Sequence, residues 1–253
     1  MSTTMKTPTT TALAEQLADL KLAFMLEQHG ALAGEAARAQ WDHLAYLAAL
    51  VEGEAALRRE RSVQRRIKLA RFPVIKTLEQ FQWSWPKAIN RTQVQHLFRL
   101  DWVAEQGNVV FLGTVGVGKT HLATALGYAA CLKGLSVRFA TAIEVVNTLV
   151  AAERAGRLKQ ALESYRKPSV LVLDELGYLP IDKTGADLLF QILSQRYEQS
   201  ATVITSNRAY KDWAEIFNHD ATLTSALLDR LLHHAETVLI EGQSYRMKDR
   251  VEV

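Results

Sequence analysis

Residues 113–120 read Gly-Thr-Val-Gly-Val-Gly-Lys-Thr and come directly after the apolar run 109–112, Val-Val-Phe-Leu. The glycines permit a backbone whose N–H groups all turn inward, as a bound polyphosphate requires. Lys119 adds a positive charge for the β- and γ-phosphates, Thr120 offers a hydroxyl to Mg²⁺, and the helix expected from His121 onward points its positive dipole end at the same place. The stretch therefore predicts an ATP-binding P-loop formed by Gly113, Thr114, Val115, Gly116, Val117, Gly118, Lys119, Thr120 and His121.

Two consecutive carboxylates, Asp174 and Glu175, follow a second apolar run, Leu171-Val172-Leu173. An apolar strand of this kind is buried on both faces, and carboxylates at its end are costly without a partner. We predict that Asp174 holds Mg²⁺ through a water molecule and that Glu175 polarises the water that attacks the γ-phosphate. Combined with the P-loop, the pair predicts hydrolysis of ATP.

Five short runs rich in β-branched residues alternate with helix-length amphipathic segments from residue 108 onward. This alternation predicts an α/β fold whose five-stranded parallel sheet is covered by helices on both faces and binds its ligand at the carboxyl ends of the strands. The expected strands are Val109–Leu112, Ser136–Ala140, Val170–Asp174, Thr202–Ser206 and Thr237–Ile240.

Two more polar side chains are candidates for the same site. Asn207 follows the fourth predicted strand, so we expect it to orient the attacking water; a plain strand-end turn is the alternative, because asparagine is common there. Arg230 lies in an apolar helical stretch, from which its guanidinium can reach the γ-phosphate of a neighbouring subunit as an arginine finger. A surface pair of Arg230 with Asp229 is the alternative.

The part of the chain before the P-loop has helical periodicity, and residues 11–105 lack a convincing strand. We predict a small all-helical domain over residues 1–75, a linker and entry helix over 76–107, and the nucleotide-binding domain over 108–253. Aromatic residues crowd the junction, and we interpret them as a hydrophobic lid packed on the next domain rather than as a surface that stacks on bases. These residues are Phe72, Phe81, Trp83 and Trp85.

A strongly basic segment lies between residues 58 and 71, where seven basic residues accompany one acid, Glu60. On a helical wheel Ala56, Val63, Ile67 and Ala70 fall together as a buried stripe opposite the basic stripe. We predict sequence-tolerant, salt-sensitive contact with DNA phosphates; a solvated charged face is the alternative. The predicted DNA-binding residues are Arg58, Arg59, Arg61, Arg65, Arg66, Lys68 and Arg71.

Composition sets the broad class of the protein. The 253 residues, 48% of them hydrophobic, suffice for one large α/β domain and a smaller appendage. A single cysteine, Cys131, excludes an intramolecular disulfide and a Cys-based zinc cluster. No apolar run reaches the roughly 18 residues of a membrane span, and no signal pattern begins the chain. We therefore expect a cytoplasmic protein with no membrane partner.

Several motifs carry a resemblance to a known family. They are Val115–Ala123, Asp174–Pro180, Leu189–Gln191, Arg196–Glu198, Thr205–Asn207, Asp229–His234 and Glu241–Arg246. With these motifs the sequence resembles the IstB-like ATPases, helper subunits of a bacterial insertion-sequence transposase in the DnaC-like branch of the AAA+ ATPases. It departs from the family at Thr114-Val115, where Pro-Pro is usual. Because these two positions contribute backbone rather than side chains, we expect little loss.

The resemblance implies a bacterial AAA+ module that uses ATP and Mg²⁺ and forms a homo-oligomer with its ATP sites between subunits. It further implies assembly on double-stranded DNA with low sequence specificity, deformation of that duplex, and its presentation to a partner transposase. The residues that it implies are Lys119 and Thr120 for nucleotide and Mg²⁺, Asp174 and Glu175 for hydrolysis, Asn207 as nucleotide sensor, Arg230 as the trans-acting finger and Arg246 as a second sensing arginine.

Two other function classes share parts of this pattern. A DnaC-like loader of a replicative helicase would share every nucleotide motif and differ in its N-terminal domain, which would present a partner-binding rather than a basic surface. The basic segment and the Leu-Gly-Tyr-Leu-Pro run at 176–180 favour the transposition helper. A small-molecule kinase is disfavoured by the Asp174-Glu175 pair, which suits water activation, and by the lack of an obvious lid segment.

Overall fold

The chain divides into two compact units, Met1–Gln64 and Arg65–Val253. The structure, a computed structural model, describes residues 10–250. No helix within that range is both long enough and apolar enough to cross a bilayer. The domain boundaries expected at residues 75 and 107 stay predictions.

The first unit is helical, as its periodicity predicts. Its helices are α1 (Thr10–Asp19), α2 (Ala23–Arg38) and the first part of α3 (His43–Ala70). Leu17, Ala36 and Leu50 are its buried apolar side chains. The buried Glu54 carboxylate accepts hydrogen bonds from the backbone N–H groups of Phe24 and Met25, at 2.9 and 3.4 Å. Glu54 thereby satisfies donors that the first turn of α2 leaves without an intrahelical partner.

The second unit is built on one mixed sheet of six strands in the order β1-β6-β2-β5-β4-β3. The five predicted strands are present and mutually parallel. The expectation of no strand before residue 105 is wrong at Ala88 and Ile89, which pair antiparallel with β6 at the sheet edge. The strands are β1 (Ala88–Ile89), β2 (Asn108–Gly113), β3 (Val137–Thr141), β4 (Val170–Leu176), β5 (Ala201–Ser206) and β6 (Ala235–Glu241).

Helices cover both faces of this sheet, because the strands are apolar on both. Leu171 and Leu173 of β4 pack in one buried cluster, and Val170 and Val172 pack in the other. Several helices begin at side-chain caps, such as Thr141, which forms a capping box with Glu144. The helices are α4 (Arg91–Leu97), α5 (Asp101–Ala104), α6 (Lys119–Leu132), α7 (Ala142–Arg154), α8 (Leu158–Arg166), α9 (Lys183–Arg196), α10 (Trp213–Ile216) and α11 (Ala221–His233), with 3₁₀ turns at Tyr210–Asp212 and Tyr245–Arg250.

The register of the strands places the predicted site residues at one edge. Leu112 of β2 is opposite Ser206 of β5, and Thr141 of β3 is opposite Asp174 of β4. The carboxyl ends of β2, β4 and β5 therefore lie together, which is where a parallel sheet of this kind binds its ligand.

Candidate functional site

The predicted P-loop joins the end of β2 to the start of α6. Gly116 and Gly118 have φ of 78° and 100°, in the left-handed region that favours glycine. A Cβ at position 118 would also lie 2.6 Å from the ring of Phe81. Two independent constraints, backbone conformation and close packing, therefore require glycine at this position.

Lys119 is buried at the first position of α6. Its Nζ donates to the carbonyl oxygens of Gly113 and Thr114, at 2.7 and 2.6 Å. Burial lowers the pKa of Lys119 to about 8, although the nearby Asp174 carboxylate opposes the change. The loop thus holds an ammonium group that lacks full charge compensation, which suits it to a polyphosphate.

Asp174 lies opposite this lysine and accepts two hydroxyl hydrogen bonds. Its Oδ1 is 3.0 Å from Thr120 Oγ1 and 2.5 Å from Thr205 Oγ1. Burial raises the pKa of Asp174, and the bonds from Thr205 and Thr120 oppose that rise. A carboxylate and a hydroxyl oxygen are ligands that suit Mg²⁺, so the donor set fits the predicted ion. Thr205 belongs to the motif Thr205–Asn207, but the sequence indicated no role for it, since a threonine inside a strand is ordinary.

Glu175 lies within β4 at an irregular point. Its φ is 59°, the register of β4 against β5 shifts between Leu173 and Leu176, and the Glu175 N–H donates to Thr205 Oγ1 at 2.9 Å. A non-glycine residue in this region is uncommon and marks a site where the backbone turns a side chain out of register. The half-exposed Glu175 is therefore separated from the buried Asp174.

Asn207 directly follows β5, which is the strand beside β4 in the sheet. Its Oδ1 is buried and has no hydrogen-bond partner within the described part of the chain. Buried polar atoms are normally paired, so this acceptor is available for a group that the chain itself does not supply. Its role as a sensor stays a prediction.

A cavity of about 450 Å³ opens beside the P-loop. The sequence predicted few of its walls, namely the aromatic segment around residues 72–85 and Arg246. Trp85 packs edge-to-face on Tyr245, and Phe81 packs on His121, whose Nε2–H donates to the Thr77 carbonyl at 2.8 Å. These contacts agree with the lid interpretation of the aromatic segment. The lining outside the P-loop is Val74, Lys76, Gln80, Phe81, Gln82, Trp85, Pro86, Thr124, Tyr178, Tyr245 and Arg246.

The C-terminal segment reaches the same cavity. The Tyr245 N–H donates to the Gly116 carbonyl at 2.9 Å, and Thr114 Oγ1 donates to the Gly242 carbonyl at 3.0 Å. The exposed Arg246 lines the cavity, and its charge contributes to the lowered pKa of Lys119. The structure therefore places Arg246 beside the P-loop, and its role as a second sensing arginine stays a prediction.

Arg230, in contrast, is far from the P-loop of its own chain. Its guanidinium donates to Ser194 Oγ at 2.7 Å and lies 5.1 Å from the Phe190 ring centroid. It lines a small cavity with Asn108, the first residue of β2, whereas the P-loop follows the last. The two ends of that strand are about 17 Å apart.

The basic segment is less uniform than its sequence indicates. In the first unit Arg58 is paired with Glu54 at 3.1 Å, and Ala56 is exposed, so the predicted buried stripe is wrong at that residue. In the second unit Ala70 is buried and Arg66 is half-buried. The remaining basic side chains are exposed: Arg59 and Arg61 in the first unit, and Arg65, Lys68 and Arg71 in the second.

The pKa of Lys119 gives ATP binding a pH dependence. In the Glu175→Gln background, with excess Mg²⁺, we expect the ATP dissociation constant to rise about tenfold between pH 7 and pH 9. The free protein loses the Lys119 proton above about pH 8, and bound phosphates would restore it, so affinity is full below that pH and falls above it. Titration calorimetry at each pH measures the effect.

Calorimetry in two buffers of different ionisation enthalpy should also show uptake of about half a proton per ATP at pH 8. Lys119→Arg is the matched control, because its guanidinium stays charged over this range and removes the proton uptake. An ATP affinity of the Glu175→Gln protein that stays constant from pH 7 to pH 9 would contradict the role of Lys119.

Comparison with known proteins identifies the family of the chain. Residues 15–253 match the family described as IstB-like ATP binding protein. The chain is 36% identical over 231 residues to the insertion sequence IS5376 ATP-binding protein of Geobacillus stearothermophilus, a match that spans 91% of this chain and 92% of the relative. It is 39% identical over 234 residues to the insertion sequence IS21 ATP-binding protein of Pseudomonas aeruginosa, spanning 92% of this chain and 88% of the relative.

The fold has solved counterparts. The crystal structure of the DnaC helicase loader aligns with a TM-score of 0.54 at 23% identity, covering 65% of this chain and 96% of that one. At this identity the likeness concerns the fold alone, and it confirms the predicted α/β fold of the P-loop domain. The family match and the two insertion-sequence relatives confirm the predicted resemblance. The chain belongs to the IstB-like ATP-binding proteins.

Proposed function

We propose that this protein is an ATP-hydrolysing helper of DNA transposition that assembles with ATP on target duplex DNA, deforms the duplex and assists a transposase. The observation that carries the ATP-hydrolysing part of the proposal is the position of Lys119, Asp174 and Asn207 at one edge of the sheet, where the Asn207 oxygen has no partner within the described residues. Relatives named for insertion sequences favour this function over the loading of a replicative helicase, which is the second candidate.

The residues at the sheet edge divide the chemistry of hydrolysis among them. Thr120 and Asp174 would hold Mg²⁺, and Lys119 would exchange its two carbonyl contacts for phosphate oxygens. When bound, Mg²⁺ neutralises charge on the phosphates during transfer. Glu175 would accept a proton from the water that attacks the γ-phosphorus, and Asn207 would hold that water, so that ADP and phosphate leave. The apolar and amide side chains of the neighbouring cavity would take the adenine.

The position of Arg230 supports an assembly with ATP sites between subunits. Its guanidinium lies near the amino ends of the strands, and the P-loop follows their carboxyl ends. A side chain there serves catalysis only if it meets a second chain's P-loop, as an arginine finger does in trans. Such a head-to-tail interface closes into a ring or continues as a helix, both of which suit a duplex.

DNA binding is assigned to the exposed basic side chains of α3 and its end. Arg61, Arg65 and Lys68 have no ion-pair partner within the described residues, unlike Arg58. Each phosphate that such a residue neutralises releases counterions, so binding is strong at low salt and independent of sequence.

Charge reversal tests this assignment. The triple variant Arg61→Glu, Arg65→Glu and Lys68→Glu is expected to bind a non-specific duplex at least tenfold more weakly at moderate salt, with a salt-dependence slope lower by about three. Fluorescence anisotropy of a labelled duplex, with a non-hydrolysable ATP analogue at several salt concentrations, measures both quantities.

The matched control reverses Lys133, Lys183 and Lys211, which are exposed and scattered over the second unit. It makes the same change in net charge without touching α3. Equal duplex affinity in the parent and the α3 variant would overturn the DNA assignment. Sedimentation with ATP and duplex then separates the two functions: large DNA-dependent assemblies support the helper, and a protein that ignores duplex but captures a replicative helicase is a loader.

A further inference from the structure

Three metal-ligating side chains meet on the surface of the second unit, outside the P-loop site. Glu198 follows α9, and His233 and His234 end α11. Their ligand atoms all lie within 4.8 Å of one another, and all three side chains are exposed. No other group of three such residues comes as close among residues 10–250.

The distances suit one small cation. His234 Nε2 is 3.6 Å and His233 Nδ1 is 3.9 Å from Glu198 Oε1. Two ligand atoms bound to one tetrahedral Zn²⁺ are about 3.3 Å apart, given metal–ligand bonds of about 2.0 Å. Exposed side chains can close differences of this size by small rotations about their χ angles.

The neighbouring groups surround this cluster. The Tyr197 hydroxyl is hydrogen-bonded to His233 Nδ1 at 2.8 Å, and this bond must break when Nδ1 binds the ion. The His233 and His234 rings are 4.0 Å apart between centroids, so both imidazoles face the same side of the chain. Backbone hydrogen bonds hold both segments: Gln199 N–H donates to Arg196, and Asn108 N–H donates to the His234 carbonyl.

We propose that Glu198, His233 and His234 bind one divalent transition metal ion of the Zn²⁺ type. Two imidazoles and one carboxylate suit Zn²⁺ and disfavour Mg²⁺, which takes oxygen ligands. The ion joins the end of α9 to the end of α11. Because Arg230 lies one turn before His233, the ion also holds the helix that carries the proposed arginine finger.

The test uses the full-length chain without a histidine tag, stripped with a chelator and kept nucleotide-free in excess Mg²⁺. Titration with Co²⁺ should give one equivalent with the visible absorption of a tetrahedral site, which Zn²⁺ then displaces. Glu198→Gln and His234→Ala are each expected to lower the association constant about tenfold or more. Zn²⁺ should raise the Tm of the parent, and at the same concentration raise the Tm of these variants by less.

His96→Ala is the matched control, because His96 lies 3.9 Å from Glu236 in an exposed pair without a third ligand. It should bind Zn²⁺ as the parent does. All three substitutions are at exposed positions, and an unchanged Tm without metal shows that the variants fold. The proposal is overturned if the parent binds no equivalent of Co²⁺ or Zn²⁺, or if Glu198→Gln and His234→Ala bind as tightly as the parent.

Discussion

Glu175→Gln and Arg230→Ala are each expected to lower ATP turnover about a hundredfold or more, and an equimolar mixture of the two chains is expected to recover about a quarter of parent turnover. Each variant lacks a different half of a composite site. In a random mixture, about one interface in four joins an intact Glu175 from one chain to an intact Arg230 from the next. Steady-state phosphate release with saturating ATP and duplex measures the recovery.

The expectation of recovery depends on where the two residues lie in one chain. Glu175 is at the carboxyl edge of the sheet, and Arg230 contacts Ser194 and Phe190 near the opposite edge. An arginine side chain cannot span the length of a β-strand to its own P-loop. A finger that acts within one chain would give no recovery on mixing.

The control mixes Glu175→Gln with the double variant that carries both substitutions, in which no interface can be complete. Unchanged ATP affinity in each single variant shows that the nucleotide site is intact. Two results would contradict a trans-acting finger: parent turnover in Arg230→Ala alone, or an inactive mixture whose chains are shown by sedimentation to have assembled together.

Local pattern predicted the parts of this site that depend on local structure. A P-loop, a strand and a helix start are each defined by residues that are neighbours in the chain. The glycines at 113–118 and the apolar runs were therefore enough to predict them. The five parallel strands were predictable for the same reason, because few compact folds accommodate apolar runs that alternate with amphipathic segments. The position of Asp174 in β4 follows once its strand is recognised, and its role as a metal ligand stays a prediction.

Most features that the sequence did not predict depend on residues far apart in the chain. Thr205 donates a hydrogen bond to Asp174 across two neighbouring strands. The pairing of Arg58 with Glu54 is the exception, because these residues are four apart on one helix. A two-residue strand such as β1 has too little sequence for a period, and it exists because β6 supplies its partner. The bulge at Glu175 is likewise set by the register of β5.

Arg196→Met is expected to lower the free energy of unfolding of the second unit by about 3–5 kcal/mol. Arg196 is 1% exposed and has no carboxylate partner within the described residues. Its guanidinium donates to the Thr202 hydroxyl and to the backbone carbonyls of Tyr165, Arg166, Pro168 and Ala201. Urea unfolding followed by tryptophan fluorescence measures the loss, because Trp213 is buried in this unit.

Stability is lost because carbonyl oxygens are left without hydrogen-bond donors, not because an ion pair is broken. These carbonyls lie where the chain passes from α8 into β4 and from α9 into β5, so one planar guanidinium supplies donors to both connections. Lysine has three donors in a different geometry, and Arg196→Lys should recover little of the stability. Arg154→Met, at an exposed arginine of α7, is the control and should change stability by at most about 0.5 kcal/mol.

A loss below about 1 kcal/mol in Arg196→Met would mean that removing a buried charge offsets the broken hydrogen bonds, as occurs when apolar side chains replace some buried ions. The number of carbonyl partners argues against that outcome. An unsatisfied buried acceptor costs about 1–3 kcal/mol, and several acceptors depend on this one side chain. The free energy gained by no longer burying a charge would have to equal the summed cost of these unsatisfied acceptors. It would also have to offset the space that the shorter methionine side chain leaves unfilled.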